Sequence, residues 1–146
     1  MLEFFHKGTL DLSFEEFGEM MDINLRSAFR VLQNVVPVMQ KQKPGTIVNL
    51  ASRSGLQAKP RSGGYAASKF ALVGLSEAVY RDVTKDGIKV TALCPGWVNT
   101  DMAQSSGLDG IDMIQCEDIV NTVRWLHNLS PSACVNNVMI ESIKQV

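Results

Sequence analysis

The sequence predicts an α/β fold in which about three parallel strands alternate with helices. A helical pattern precedes the run Thr46–Ala51, a second precedes Ile88–Cys94, and a third precedes Val135–Ile140. The first of these runs is β-branched and apolar on both faces, which is typical of a buried parallel strand. Alternation of this kind favours one doubly wound sheet with helices on both faces, and 146 residues are expected to form one domain.

The first helix is expected to begin at a capping box formed by Ser13 and Glu16. Hydrophobic residues then keep helical spacing as far as Val35, and Pro37 predicts a kink or a restart. The segment 43–45, Lys-Pro-Gly, should end the helix before the first strand.

The second helix is predicted over Tyr65–Asp82, after a loop that spans residues 52–64. Its first half is apolar almost all round, so we expect neighbours on more than one side. Asp86 and Gly87 should turn the chain into the second strand, which Pro95 and Gly96 end. Residues 100–113 indicate a mobile loop, and residues 117–129 a third helix before the last strand.

Polar and turn residues follow two of the predicted strands directly. Ser52 comes after the first strand, and Pro95-Gly96 come after the second. Ligands of parallel sheets bind beyond the carboxyl ends of the strands, so these residues should share one edge. Tyr65 and Lys69 are four residues apart and share a face of their helix.

These side chains could carry acid/base chemistry. A phenol has a pKa of about 10, so work near neutral pH needs a downward shift of roughly three units. Lys69 can provide this beside Tyr65 only in a site partly closed to water. Ser52 could bond a substrate oxygen, and Asn24, a poor helix former, could hold a water that relays protons to Lys69.

Each residue alone has a structural explanation. A Tyr–Lys pair can be a surface pair, Ser52 a cap, Asn24 a partner for backbone, and Pro-Gly a turn. Their joint order at strand ends favours a functional origin. A serine hydrolase that uses Ser52 is a weak alternative, because neither His6 nor His127 has the context of a catalytic base and no nucleophile elbow is present.

The composition argues against nucleic acid, a membrane or a metal ion as a partner of this chain. A net charge of −1 gives no reason to expect nucleic acid or an anionic membrane, and no apolar run approaches the ~20 residues of a membrane span. Cys94, Cys116 and Cys134 lack zinc-ligand spacing, so we expect no metal and free thiols in a reducing cytoplasm.

Three segments together resemble the short-chain dehydrogenase/reductase family: 47–52 (Ile-Val-Asn-Leu-Ala-Ser), 65–69 (Tyr-Ala-Ala-Ser-Lys) and 94–102 (Cys-Pro-Gly-Trp-Val-Asn-Thr-Asp-Met). They are similar to the branch that includes the 3-oxoacyl-carrier-protein reductases, and Asp22-Ile23-Asn24-Leu25 resembles the family segment with the active-site asparagine. The resemblance implies a Rossmann-like domain, NAD or NADP as cofactor, and a ketone or secondary alcohol as substrate.

The resemblance also implies roles for individual residues. Tyr65 would be the acid/base, Lys69 would lower its pKa and bond the nicotinamide ribose, Ser52 would orient the substrate oxygen, and Asn24 would hold the relay water. The residues implied at the cofactor are Leu50, Ala51, Tyr65, Lys69, Pro95, Gly96, Val98 and Thr100. Pairing of helices 13–42 and 65–82 with their copies would make a homodimer.

The sequence departs from the family pattern in one large respect. It contains no glycine-rich phosphate loop and no ribose selector, and the pair Gly63-Gly64 follows no strand. We therefore expect residues 1–146 to form a partial domain, the C-terminal part of such a sheet without its N-terminal βαβ units. Such a truncated chain should be inactive alone. The alternative is a non-enzymatic remnant that acts by binding a protein partner.

Overall fold

The computed structural model describes residues 7–144 of the chain. Its three strands form one parallel sheet in the order β1–β2–β3, which confirms the predicted α/β fold. The elements in chain order are α1 (Phe14–Met21), α2 (Ser27–Gln42), β1 (Gly45–Leu50), α3 (Gly63–Val83), β2 (Ile88–Pro95), α4 (Cys116–Asn128) and β3 (Asn137–Ile140).

The first predicted helix begins as expected but is divided at an unexpected place. The Ser13 hydroxyl accepts a hydrogen bond from the Glu16 amide at 3.1 Å, and the Glu16 carboxylate accepts one from the Ser13 amide at 2.8 Å. A π-helical turn, Asp22–Arg26, separates α1 from α2. Such turns are rare and often occur at functional sites, and this one carries Asn24.

Of the kink or restart predicted at Pro37, the restart does not occur, because α2 continues through this residue. Proline removes the amide that would bond the carbonyl of Gln33. Both residues are exposed, so water can satisfy that carbonyl and the helix can continue.

Burial differs sharply between the strands. β2 lies in the centre of the sheet and is buried along almost its whole length, whereas β1 is half-buried. Within residues 7–144, β1 pairs only with β2. The expectation of a strand buried on both faces is therefore not met in this part of the chain, and Leu50 at its end is 57% exposed.

Helix α3 lies at the centre of the packing, as its apolar first half predicted. It contacts β2, the turn after β1, α1, and the π-turn. One core cluster under its first half contains Ala51, Leu72, Ala92 and Cys94, and a second cluster at its other end contains Val83, Ile88 and Val90. The first cluster supports the edge of the sheet where the predicted site residues lie.

No helix within residues 7–144 combines the length and the apolar composition that a crossing of the bilayer requires.

Candidate active site

Ser52 lies where the chain leaves β1 and begins a short 3-10 turn over Arg53–Gly55. Its hydroxyl oxygen accepts a hydrogen bond from the Ser54 amide at 3.1 Å, which fixes the side chain at the start of the turn. A hydroxyl that accepts one bond still has its own proton to donate. Ser52 also hydrogen-bonds Tyr65, so the predicted pair meets at this edge of the sheet.

Tyr65 and Lys69 occupy successive turns at the beginning of α3. The Lys69 ammonium lies 5.7 Å from the centroid of the Tyr65 ring and donates a hydrogen bond to the Leu50 carbonyl at 3.1 Å. Helix α3 is thereby connected to the last residue of β1. Tyr65, Lys69 and Ser52 are in one cluster, as their spacing predicted.

Asn24 reaches the same helix from the π-turn. Its side-chain amide donates a hydrogen bond to the Ser68 hydroxyl at 3.1 Å, and that hydroxyl donates to the Tyr65 carbonyl at 2.8 Å. Ser68 is not among the site residues that the sequence predicted. Its position between Tyr65 and Lys69 in the motif was the available signal.

The electrostatics of Tyr65 oppose the expected tuning. Burial raises the pKa of the phenol above its ordinary value of about 10, and the hydrogen bond with Ser52 acts in the opposite direction. Burial also lowers the pKa of Lys69. Desolvation is therefore the largest influence on both groups, and it keeps the Tyr65 phenol protonated at neutral pH.

Cys94 lies under the site, at the end of the buried strand β2. Burial raises the pKa of its thiol, while a hydrogen bond with the Ser52 backbone and the charge of Lys69 act in the opposite direction. The thiol stays neutral and forms part of the floor between Ser52 and Lys69. Nothing in the sequence pattern distinguishes this cysteine from Cys116 and Cys134.

The residues after β2 are held to β3 and to the following loop. The Gly96 amide donates to the Ile140 carbonyl at 2.8 Å, and Val98 forms a parallel bridge with Ile114. Pro95 is buried, as is Ala51 at the end of β1. Thr100 is exposed, and its hydroxyl donates within its own loop to the Val98 carbonyl at 3.3 Å.

The part of the chain that the structure describes contains no cluster of candidate metal ligands. Among residues 7–144, no three histidine, cysteine, aspartate or glutamate side chains lie close enough together to hold an ion.

Close packing at Gly55 supports the site. A Cβ added to Gly55 would lie 2.7 Å from the Lys69 carbonyl oxygen, which belongs to the backbone and cannot move independently. We expect Gly55→Ala to lower the free energy of unfolding by about 1–3 kcal/mol and to displace Lys69. Urea denaturation measures the first effect.

Gly74→Ala is the matched control for this substitution. Gly74 lies within α3, and a Cβ there meets nothing within 4 Å. Alanine should stabilise the helix by roughly 0.5–1 kcal/mol relative to glycine. Equal effects of the two substitutions would contradict the close approach of Gly55 to α3.

Comparisons with known proteins agree with this geometry. The model of the family "short chain dehydrogenase" matches residues 6–109. Over 122 residues the chain is 32% identical to a 3-oxoacyl-[acyl-carrier-protein] reductase, FabG, of Staphylococcus epidermidis, a match that covers 77% of this chain and 50% of the reductase.

Solved structures are similar over a larger part of the chain. A β-ketoacyl-[ACP] reductase (FabG) from Bacteroides thetaiotaomicron has a TM-score of 0.78 at 40% identity, with 97% of this chain and 59% of the reductase covered. A 4-hydroxyisoleucine dehydrogenase complexed with NADH and succinate has a TM-score of 0.82 at 31% identity, with 93% and 61% covered. The chain thus spans 50% to 61% of the length of these three proteins.

The matched segment contains the Ser52, Tyr65 and Lys69 cluster together with β1, α3 and β2. The chain belongs to the short-chain dehydrogenase family and is similar to its FabG members.

Proposed function

We propose that this chain carries the catalytic residues of an NAD(P)-dependent oxidoreductase that interconverts a ketone and a secondary alcohol. One observation carries the proposal: a buried phenol, a serine hydroxyl and a lysine ammonium meet at the carboxyl edge of a parallel sheet. The similarity to FabG structures and to an NADH-bound dehydrogenase supports the same reaction class.

Proton transfer is the task of Tyr65 in this mechanism. Because burial raises its pKa, the phenol is protonated at neutral pH and can donate its proton to a carbonyl oxygen as that oxygen becomes an alkoxide. Ser52 donates a hydrogen bond to the same oxygen and orients it. The adjacent ammonium of Lys69 offsets the charge of the phenolate that remains.

The nicotinamide end of a cofactor fits the residues present. The apolar side chain of Leu50 is exposed at the end of β1, and the Lys69 ammonium donates a hydrogen bond to the Leu50 carbonyl. A flat nicotinamide ring could lie against the Leu50 side chain. Lys69 and Tyr65 would hold the adjoining ribose, with Ala51, Pro95, Gly96, Val98 and Thr100 around it. When bound, a nicotinamide supplies or accepts the hydride.

The reaction can be tested in a fusion protein. The part of the Bacteroides thetaiotaomicron FabG that this chain does not span is joined to it, and deuterated NADH or NADPH is offered with a panel of ketones. We expect deuterium on the carbon that bears the new hydroxyl. A fusion that binds the cofactor but transfers no deuterium to any ketone would favour the non-enzymatic alternative.

We also propose a homodimer through helices 13–42 and 65–82. Val31, Val35 and Val38 follow one another at helical spacing on α2 and are exposed, and Phe70 on α3 is 45% exposed. A groove of about 660 Å³ runs along α1 and the π-turn, lined in part by Phe14, Phe17, Met21 and Leu25. Exposed apolar side chains on both helices are what such an interface would cover.

Val35→Glu should shift the chain from dimer to monomer, because it places a charge in the proposed interface. Light scattering at micromolar concentration measures the change. Val120→Glu on α4 is the control: Val35 and Val120 are each 41% exposed, but α4 lies outside the proposed interface. A wild-type chain that is monomeric under these conditions would contradict the dimer.

A further inference from the structure

The Ser68 hydroxyl is shielded from solvent and has two hydrogen-bond partners within the protein. The side chain is fully buried, accepts a bond from the Asn24 amide at 3.1 Å, and donates one to the Tyr65 carbonyl at 2.8 Å. A buried hydroxyl is costly unless it is bonded, and both bonds here satisfy it. An alanine of similar size would avoid that requirement altogether.

The two partners of Ser68 belong to different elements. Asn24 lies in the π-turn between α1 and α2, and Tyr65 lies in the first turn of α3. Lys69 is the next residue after Ser68, so the hydroxyl sits within the segment that carries both members of the acid/base pair. The link therefore fixes the helix turn of Tyr65 and Lys69 against the π-turn.

We propose that Ser68 is a positioning residue for Tyr65 and Lys69, and that it acts by tying their turn of α3 to Asn24. In this arrangement the Asn24 amide group is engaged with Ser68, and its carbonyl oxygen is the part left to bond another group. The proposal rests on the proposed function, since it concerns the same acid/base pair.

A second serine on α3 repeats the pattern away from the site. Ser76 is also buried, accepts a bond from the Asn49 side-chain amide at 2.9 Å, and donates to the Leu72 carbonyl at 2.7 Å. It lies about two turns farther along the helix, roughly 12 Å from Ser68. The bonding chemistry is the same, so Ser76 separates the general effect of such a link from its effect on Tyr65.

The stability contributions of the two serines should be similar, since each hydroxyl makes the same two kinds of bond. Their effects on the acid/base pair should differ, because only Ser68 bonds the Tyr65 backbone. A displacement of about 1 Å in a catalytic group can lower turnover roughly a hundredfold. Ser68→Ala is therefore expected to affect the site beyond any loss of stability.

The test uses nuclear magnetic resonance of the chain labelled with ¹³C in its two tyrosines, Tyr65 and Tyr80. We expect Ser68→Ala to shift the Tyr65 ring signals and to abolish the NOE between that ring and the Lys69 side chain. Tyr80 should be unchanged. Ser76→Ala should leave the Tyr65 signals and this NOE as they are in the wild type.

Two further variants keep the test decisive if Ser68→Ala does not fold. Asn24→Ala removes the same bond from the π-turn side and should also shift Tyr65. Ser68→Cys keeps a weaker donor and acceptor of similar volume and should give an intermediate shift. A Tyr65 spectrum unchanged in Asn24→Ala, or changed equally in Ser76→Ala, would overturn the proposal.

Turnover provides the second readout, in the fusion protein described above. We expect Ser68→Ala to lower kcat by roughly ten- to a hundredfold with little change in KM, and Ser76→Ala to change neither. If the wild-type fusion transfers no hydride, the proposed function fails, and the NMR result still decides the role of Ser68.

Discussion

Tyr65→Phe is expected to abolish ketone reduction in the fusion protein, with a loss of roughly 10²- to 10⁴-fold in kcat. The substitution removes the proton that the carbonyl oxygen would receive and leaves the aromatic ring in place. The hydroxyl makes a hydrogen bond with Ser52 whose net worth to stability is only about 1 kcal/mol. The loss of activity should therefore not come from unfolding.

Tyr80→Phe is the control, because Tyr80 is half-buried on the same helix and packs against the core cluster at the other end of α3. It should keep wild-type turnover. Kinetics with saturating ketone and cofactor, together with thermal unfolding of both variants, make the comparison. Full activity in Tyr65→Phe would exclude the phenol as proton donor.

The direction of the Tyr65 pKa adds a pH dependence to this result. Since burial raises that pKa, the phenol stays protonated from neutral to moderately alkaline pH, and reduction should be constant over this range. Alcohol oxidation needs the phenolate as base, so its rate should rise as the pH rises. Initial rates in both directions measure this difference.

The sequence predicted the elements well because local patterns determine them. The capping box at Ser13 and the alternation of helices with strands both depend on neighbouring residues alone. The break between α1 and α2 could not be predicted in this way. Asn24 finds its partner, Ser68, 44 residues farther along the chain, and the exposed Pro37 is tolerated inside α2.

The candidate site likewise has features that local patterns predicted and features that depend on residues distant in the chain. Helical spacing and strand ends placed Ser52, Tyr65 and Lys69 together, since both rules are geometric. The direction of the Tyr65 pKa shift depends on desolvation. This direction cannot be predicted without knowing which residues cover the phenol. Spacing alone could not show that Cys94 and the Leu50 carbonyl lie beside Lys69.

The 146-residue chain alone is expected not to bind NADH or NADPH at sub-millimolar concentration. Affinity for dinucleotides comes largely from a glycine-rich turn that brings a helix N-terminus to the pyrophosphate, and this sequence has no such turn after a strand. Calorimetric titration with each cofactor measures the affinity. The fusion protein is the positive control.

Gly63 and Gly64 at the start of α3 do not provide a substitute for that turn. A Cβ on Gly63 would lie 2.0 Å from the Thr9 side chain, and one on Gly64 would lie 2.4 Å from Met20. Because these glycines lack a side chain, the N-terminal segment and α1 can pack against the start of α3. They occupy the space in which a phosphate would have to lie. Saturable binding by the chain alone would contradict the prediction, and loss of that binding in Lys69→Met would then assign it to the ammonium at the carboxyl edge of the sheet.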